Sequence, residues 1–198
     1  MSEKGKLIVI SGPSGAGKST VVFKAIEDRK DMCFSISVTT RKPRPGETDG
    51  VEYFFVDPDR FKEMVENYEL LEHAEYVANF YGTPRHYVEE KLAAGMNVIL
   101  DIEVQGARQV NEKMPDAVKI FIIPPSLDEL RRRLEGRGTD TARAIEARLI
   151  RARQEYKEAD FYDYIIVNDD AEKAAKELNA IITAEGCRAS NRSFYLET

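Results

Sequence analysis

Four short apolar runs in the chain predict buried β-strands. They read KLIVISG at residues 6–12, NVILDI at 97–102, VKIFIIPP at 118–125 and YIIVND at 164–169. Each run lies next to a helix-like segment, and buried strands that alternate with helices are typical of a parallel sheet with helices on both faces. The pattern therefore predicts an α/β fold built on a central parallel sheet.

Two stretches interrupt this alternation, and we interpret them as insertions into a single domain. Residues 37–95 combine β-branched and aromatic positions with the turn-rich PRPGETDG, which favours antiparallel strands, and DRFKEMVENYELLEHAEY predicts a short amphipathic helix followed by a strand. Residues 126–158 are mostly helical, and their first stretch, SLDELRRRLEGRG, opens with a Ser-x-x-Glu capping pattern and closes at Gly136 and Gly138. The core would then be formed by residues 1–36, 96–125 and 159–198.

The end of the core carries one further amphipathic pattern. Residues 171–185 place four apolar side chains on one face, which predicts a helix. The tail after Gly186 is polar, and we expect it to be poorly ordered.

Composition and charge narrow the class of protein. The chain has 198 residues, enough for one well-buried core, and its 42% hydrophobic and 32% charged residues are ordinary for a globular protein. A net charge of −6 argues against a general nucleic-acid binder and requires a local positive patch for any anionic ligand. No segment reads as a secretory signal or a membrane span, and Cys33 and Cys187 lack metal-ligand spacing. We therefore expect a cytoplasmic protein that binds neither nucleic acid nor membrane.

The glycine-rich stretch SGPSGAGKST predicts a phosphate-binding loop, because Gly12 is followed after four residues by Gly17, Lys18 and Ser19. A strand enters this loop and a helix leaves it, so backbone N–H groups and the positive helix end would converge on one anion. Lys18 would reach the β- and γ-phosphates of a nucleotide, and the Ser19 hydroxyl would ligate Mg²⁺. The expected nucleotide contacts in the loop are Gly12, Pro13, Ser14, Gly15, Ala16, Gly17, Lys18, Ser19 and Thr20.

Two further pairs of charged residues are candidates for binding the phosphoryl acceptor and the metal ion. Arg41 and Arg44 lie three residues apart and could clamp a terminal phosphate, although a solvated basic loop would have the same sequence. Asp101 and Glu103 lie two apart at the end of an apolar strand, where an open parallel sheet presents its ligands and a carboxylate commonly supports Mg²⁺. Alternatively, both acids could simply be solvent-exposed charges at the end of the strand.

The second insertion is strongly basic. Between Arg131 and Arg153 there are eight arginines and three acidic residues, a local excess of five positive charges within an acidic chain. Arg133 and Arg137 lie four apart and share a helix face, and Arg148 follows on the next helix. Such a patch favours a polyphosphate ligand, while the other arginines are expected to be solvated or paired.

Together these motifs resemble one known family. SVTTRKPRPGE, YGTPR, LDIEVQGA, PPSLDELRRRLEGRGT and IVNDD, in this order after SGPSGAGKST, are similar to guanylate kinase over residue 6 to about 185. The resemblance implies transfer of a phosphoryl group from ATP to GMP, giving ADP and GDP, in purine nucleotide metabolism, with use of dGMP left open. It also implies a three-layer P-loop fold that carries a mixed α/β GMP-binding lobe and a helical lid.

The resemblance assigns roles to individual residues. It implies that the catalytic residues are Lys18, Arg41, Arg133, Arg137 and Arg148. ATP would be bound by the loop residues named above together with Arg133, Arg137 and Asn168. Ser19 and Asp101 would be ligands of the metal. It places the GMP phosphate on Arg41, Arg44, Tyr53 and Tyr81, guanine on Ser37, Glu72 and Thr83, and the remaining GMP contacts on Asp101, Glu103 and Arg148. Many relatives carry aspartate where this chain has Glu103, so the longer side chain leaves its contact with the base open.

The role implied for Glu72 has a chemical reason. Guanine presents its N1–H and N2–H₂ donors along one edge, and a carboxylate can accept both side by side, whereas the N1 acceptor of adenine leaves that carboxylate unpaired. Taken alone, Glu72 would pass as a surface charge.

Two other functions remain open at this point. The same fold resembles guanylate-kinase-like domains of scaffolding proteins, which bind peptides, although those domains generally lack a complete phosphate loop or the full arginine set present here. A kinase for another nucleoside monophosphate or a sugar phosphate is the second alternative. The sequence does not distinguish a monomer from a homo-oligomer.

Overall fold

The computed structural model describes residues 4–27, 29–76, 78–136, 138 and 141–196. Its strands are β1 Leu7–Ser11, β2 Met32–Phe34, β3 Val38–Thr39, β4 Phe54–Phe55, β5 Leu70–Tyr76, β6 Asn79–Pro84, β7 Asn97–Asp101, β8 Val118–Ile123 and β9 Tyr164–Val167. Its α-helices are α1 Lys18–Ile26, α2 Pro58–Glu66, α3 Arg85–Ala93, α4 Val104–Lys113, α5 Leu127–Glu135, α6 Ala142–Tyr156, α7 Ala171–Gly186 and α8 Ala189–Arg192. Two 3₁₀ turns span Ala159–Phe161 and Ser193–Leu196.

The four apolar runs form β1, β7, β8 and β9 of one parallel sheet, as their pattern predicts. The sheet has the order β2-β7-β1-β8-β9, with β2 as an additional short strand at one edge. In the register of the sheet, Ile8 lies beside Ile99 and Ile10 beside Ile120. The carboxyl ends of these strands therefore meet along one edge, where ligands bind in open parallel sheets.

Helices cover both faces of this sheet, which explains why its strands are apolar at nearly every position. On one face, Ile8 and Ile10 pack with α1 and α7 in a cluster that includes Val22 and Leu178. On the other face, Val9 packs with α3 and α4 in a second cluster. The result is the three-layer α/β arrangement predicted from the sequence.

A second sheet, with the order β4-β3-β6-β5, lies within residues 38–84. Strand β6 pairs antiparallel with β3 and β5, while β3 and β4 are parallel, so the sheet is mixed. Helix α2 begins at the Asp57 cap, whose side chain accepts from Arg60 N at 2.8 Å, and buries Phe61 and Met64 against Val38 of this sheet.

Helices α5 and α6 form a hairpin with its own small core, in which Leu130 and Leu134 pack against Ile145 and Leu149. The predicted Ser-x-x-Glu cap is present, because Ser126 Oγ accepts a hydrogen bond from Glu129 N at 3.0 Å. The described residues contain no helix long and apolar enough to cross a membrane.

The end of the chain differs from the expected disordered tail. Residues 189–192 form α8, and Asn191 Nδ2 donates a hydrogen bond to Glu185 O at 2.7 Å. Lys6 Nζ also donates to Asn191 Oδ1, which ties the tail to the segment that precedes β1. Local polarity could not reveal these bonds, because their partners lie elsewhere in the chain.

The entry into β1 gives a test of the packing. A Cβ atom on Gly5 would lie 1.9 Å from the carbonyl oxygen of Met96, so Gly5→Ala requires the backbone to shift. We expect it to lower the free energy of unfolding by about 1–3 kcal/mol, as overpacking does. The matched control is Gly186→Ala, which meets nothing within 4 Å and is expected to be neutral or slightly stabilising. Urea denaturation measures both, and equal stability of the two variants would contradict this account.

Candidate active site

The glycine loop lies at the carboxyl edge of the central sheet, between β1 and α1. Gly12, Gly15 and Gly17 have φ angles of 144°, 98° and 87°, a region that residues with a Cβ rarely adopt. A Cβ on Gly12 would also lie 2.0 Å from Ile122 O of the neighbouring strand. These conformations wrap the backbone around the N-terminus of α1, which begins at Lys18 and is a favourable site for an anion.

The first two residues of α1 face the end of β7. Lys18 Nζ donates to Gly12 O at 2.8 Å and lies 3.8 Å from Asp101 Oδ1, while Ser19 Oγ lies 3.5 Å from Asp101 Oδ2. Burial raises the pKa of Asp101, and the Lys18 ammonium and the Ser19 hydroxyl act in the opposite direction. The loop thus has a cation, a hydroxyl and a carboxylate close together at its mouth.

The carbonyl oxygen of Ala16 connects the loop to two other segments of the protein. Ala16 O accepts a hydrogen bond from Asn168 Nδ2 at 2.7 Å and another from Arg133 NH1 at 3.2 Å. Arg133 NH2 donates to Asn168 O at 2.8 Å, and its Nε donates to Glu129 at 2.7 Å. All three guanidinium nitrogens of Arg133 are therefore committed within the protein.

The α5–α6 hairpin lies over the loop. A Cβ on Gly15 would lie 2.9 Å from a methyl carbon of Leu134 and 3.0 Å from one of Leu130, so the helix packs directly on the glycine. From α6, Arg148 NH1 donates to Ser14 Oγ at 2.7 Å. Two of the three arginines predicted to act on the phosphates are thus brought to the loop. Arg137 lies outside the described residues.

In the second sheet, Arg41 is held by an acid and a group of aromatic rings. Its NH1 and NH2 donate to the two carboxylate oxygens of Glu47, each at 2.9 Å, and its guanidinium lies 5.3 Å from the centre of the Tyr53 ring. The Tyr53 and Tyr81 rings are 6.0 Å apart, edge to face. Hydrogen bonding to Arg41 lowers the pKa of Glu47. Arg41, Tyr53 and Tyr81 therefore lie together in the structure.

Arg44 is placed differently from these three residues. Its backbone N–H donates to Glu47 at 2.7 Å, but its side chain is exposed at the surface of the loop. Ser37 precedes β3, where its carbonyl oxygen accepts from Phe54 N at 2.9 Å.

Glu72 is a buried acid rather than a surface charge, being only 6% exposed. Its Oε1 accepts a hydrogen bond from the buried Thr83 hydroxyl at 2.7 Å. Gly106 of α4 approaches its other oxygen so closely that a Cβ there would lie 3.0 Å from Oε2. Burial raises the pKa of Glu72, while the Thr83 hydroxyl favours the charged form.

Glu103 turns toward the α5–α6 hairpin. It caps the start of α4 with its backbone, and its side chain accepts from Arg151 NH2 of α6 at 2.7 Å. The side chain is 62% exposed. In this structure the longer acid forms an ion pair with α6.

Comparison with known proteins identifies the family. The family model described as guanylate kinase matches residues 4–185. The guanylate kinase of Lactococcus lactis subsp. lactis is 53% identical over 188 residues, covering 95% of this chain and 92% of the relative. The guanylate kinase of Bacillus cereus is 52% identical over 196 residues, covering 98% of this chain and 95% of the relative. The chain belongs to the guanylate kinase family.

A solved structure of this family agrees with the fold. The crystal structure of guanylate kinase from Anaplasma phagocytophilum matches with a TM-score of 0.73 and 39% identity, covering 95% of this chain and 89% of that one. As a member of the guanylate kinase family, the chain is a nucleoside monophosphate kinase, and the peptide-binding alternative loses its support.

Two acids that orient arginines of the candidate site were not predicted from the sequence. Glu47 pairs with Arg41 across five intervening residues of a turn, and Glu129 pairs with Arg133 one helical turn later. The i,i+4 spacing of Glu129 and Arg133 was a usable signal. For the pair of Arg41 and Glu47, the only signal in the sequence was an acid close to two arginines. The turn that brings this pair together has no periodic pattern.

The burial of Glu72 has a consequence for stability. A carboxyl whose pKa is raised in the folded state destabilises that state at pH values above the raised pKa, and this cost disappears as the pH falls and the group becomes neutral. We therefore expect Glu72→Gln to raise the midpoint of thermal unfolding at pH 8, with a smaller gain at acidic pH. Thermal unfolding followed by circular dichroism from pH 5 to 8 measures this.

Glu75→Gln is the matched control for this measurement, because Glu75 is exposed on the same strand, and we expect no change in its unfolding midpoint. A Glu72→Gln protein less stable than the wild type throughout that pH range would contradict the expectation.

Proposed function

We propose that this protein transfers the γ-phosphoryl group of ATP to GMP, giving ADP and GDP. The observation that carries the proposal is the arrangement of β6, where Tyr81 and Thr83 lie two residues apart on one face of the strand. Tyr81 adjoins Arg41, and Thr83 bonds to Glu72. One strand thus contacts both a cationic group suited to a phosphate and a buried carboxylate suited to a base.

On the acceptor side, Arg41, Arg44, Tyr53 and Tyr81 are proposed to hold the GMP phosphate. The Glu47 carboxylate already occupies the guanidinium fork of Arg41, so Arg41 is oriented before GMP arrives. Glu72 and Thr83, with Ser37, would read the guanine edge. Buried polar groups give strong discrimination, because a base without the matching donors leaves them unpaired.

On the donor side, the loop residues 12–20 and Lys18 are proposed to hold the ATP phosphates. Arg148 reaches Ser14 of this loop, and with Arg137 it would neutralise charge on the phosphoryl group during transfer. Arg133 and Asn168 are proposed to act through the loop, since their donors are bonded to Ala16 O. Glu103 is proposed to border the GMP site, and its carboxylate is held by the ion pair with Arg151.

The reaction needs no protein nucleophile. The attacking oxygen belongs to the GMP phosphate, which is already an anion near neutral pH, so the protein must bring two polyanions together and exclude water. This requirement explains why arginine and lysine dominate the proposed site.

The residues at the mouth of the loop also fit Mg²⁺. The Ser19 hydroxyl and the Asp101 carboxylate are 3.5 Å apart, and Mg²⁺ in kinases is bound by one or two protein oxygens together with substrate phosphates and water. Held by these two residues, the ion would supply positive charge that favours the phosphoryl transfer. We propose Ser19 and Asp101 as its protein ligands.

A substrate panel tests the proposal. With ATP and Mg²⁺, a coupled assay for ADP should show turnover with GMP well above AMP or UMP, and Lys18→Ala should lower it by about 100-fold or more. Glu72→Gln should lower kcat/KM for GMP by about 10- to 100-fold, because it replaces an acceptor by a donor facing guanine.

Glu75→Gln is again the control, with unchanged kinetics expected. Wild-type protein that releases no ADP with GMP, or that prefers AMP or UMP, would overturn the proposed function.

We also propose that the two inserted parts close over bound nucleotides. The α5–α6 hairpin already contacts the loop, whereas the Arg41 clamp lies in the second sheet, and closure would exclude water from the transfer. Small-angle scattering should show a smaller radius of gyration with GMP and a non-transferable ATP analogue together than with no nucleotide. An unchanged radius would count against closure without affecting the substrate panel.

A further inference from the structure

The strand that carries Glu72 is irregular where Glu72 lies. Leu70 of β5 is paired with Pro84 of β6, and His73 is paired with Gly82, so three steps along β5 match two along β6. This is a β-bulge, which re-aims a side chain and disrupts the local ladder of backbone hydrogen bonds. The bulge contains Leu71 and Glu72, and the backbone groups of the residues at its two ends need partners from elsewhere.

Helix α4 of the core supplies those partners. Gln109 Oε1 accepts from His73 N at 3.1 Å, and Gln109 Nε2 donates to His73 O at 3.1 Å, so one side-chain amide binds a backbone in the manner of a neighbouring strand. Lys113 Nζ donates to Leu70 O at 2.9 Å. Gln109 and Lys113 lie four residues apart, on one face of α4, and hold the two ends of the bulge.

The same face of α4 also limits where the Glu72 carboxylate can lie. Gly106, one turn before Gln109, leaves room for Glu72 Oε2 against the helix, and a Cβ there would be 3.0 Å away. Leu71, the other residue of the bulge, is fully buried in the cluster that contains Ala107 and Val110 of α4. Every residue from 70 to 73 thus contacts α4 through its backbone or its side chain.

We infer that Gln109 and Lys113 are positioning residues for guanine recognition, because they fix the bulge that aims Glu72. This inference rests on the proposed reading of guanine by Glu72 and adds a means by which the core sets base specificity. The Lys113 charge also favours the ionised form of Glu72, opposing the effect of burial on its pKa.

Gln109→Met tests the inference, because it keeps the length of the side chain and removes both hydrogen bonds to His73. We expect KM for GMP to rise about 5- to 10-fold, in line with two neutral hydrogen bonds, while kcat and KM for ATP change less than about twofold. The preference for GMP over IMP, which lacks the 2-amino group, should fall. Lys113→Met should act in the same direction.

Gln154→Met is the matched control, since it makes the same change at an exposed position of α6 and should leave all four quantities unchanged. Gln109→Glu is the second variant, in case the methionine variant does not fold. It keeps the acceptor for His73 N but places a carboxylate oxygen against His73 O in place of the donor, so its KM for GMP should also rise above that of the wild type.

A double-mutant cycle with Glu72→Gln separates positioning from general stability. If Gln109 acts through Glu72, then Gln109→Met should change KM for GMP by less than about twofold in the Glu72→Gln background. Additive effects would overturn the inference, as would an unchanged GMP-to-IMP ratio in Gln109→Met while Glu72→Gln alone lowers it. If Glu72→Gln itself leaves GMP use unchanged, both the inference and the Glu72 role fall, although GMP turnover by the wild type still supports the kinase.

Discussion

The hydrogen bonds to the carbonyl oxygen of Ala16 are the interaction on which the proposed active site depends. A glycine-rich loop has little side-chain packing of its own, and its left-handed residues are entropically costly to order. Asn168, which follows β9, and Arg133, from α5, both donate to this one oxygen. The phosphate loop is therefore held by the central sheet on one side and by the α5–α6 hairpin on the other, before any nucleotide is present.

Three cations of the proposed site lie beside acidic residues of the same protein. Arg41 is held by Glu47, Arg133 by Glu129, and Lys18 lies near Asp101. Such pairs contribute little to stability when they are partly solvated. Their value lies in geometry, because a long side chain that is already oriented loses less entropy when a phosphate replaces or joins the carboxylate. An acidic chain can in this way keep a strongly anion-binding cleft.

Much of this architecture could be predicted because it is encoded locally. Buried strands, the glycine loop and the Ser126 cap are all set by patterns within a few residues. Strand β2 was missed because three residues at a sheet edge, Met32–Phe34, have no readable period. The hydrogen bonds of Gln109 to His73 and of Arg133 to Ala16 could not be predicted for another reason. Their partners lie 36 and 117 residues away along the chain. Tertiary packing brings such pairs together.

Helix α4 contacts both the second sheet and the α5–α6 hairpin. The side chain of Glu103, at its start, is paired with Arg151 of the hairpin, while Gln109 and Lys113, further along, hold strand β5 of the second sheet. An α-helix of this length behaves as a short stiff rod, whose ends cannot turn independently. The α5–α6 hairpin and the second sheet are thus joined through one rigid helix of the core, which fixes the spacing between their two points of attachment.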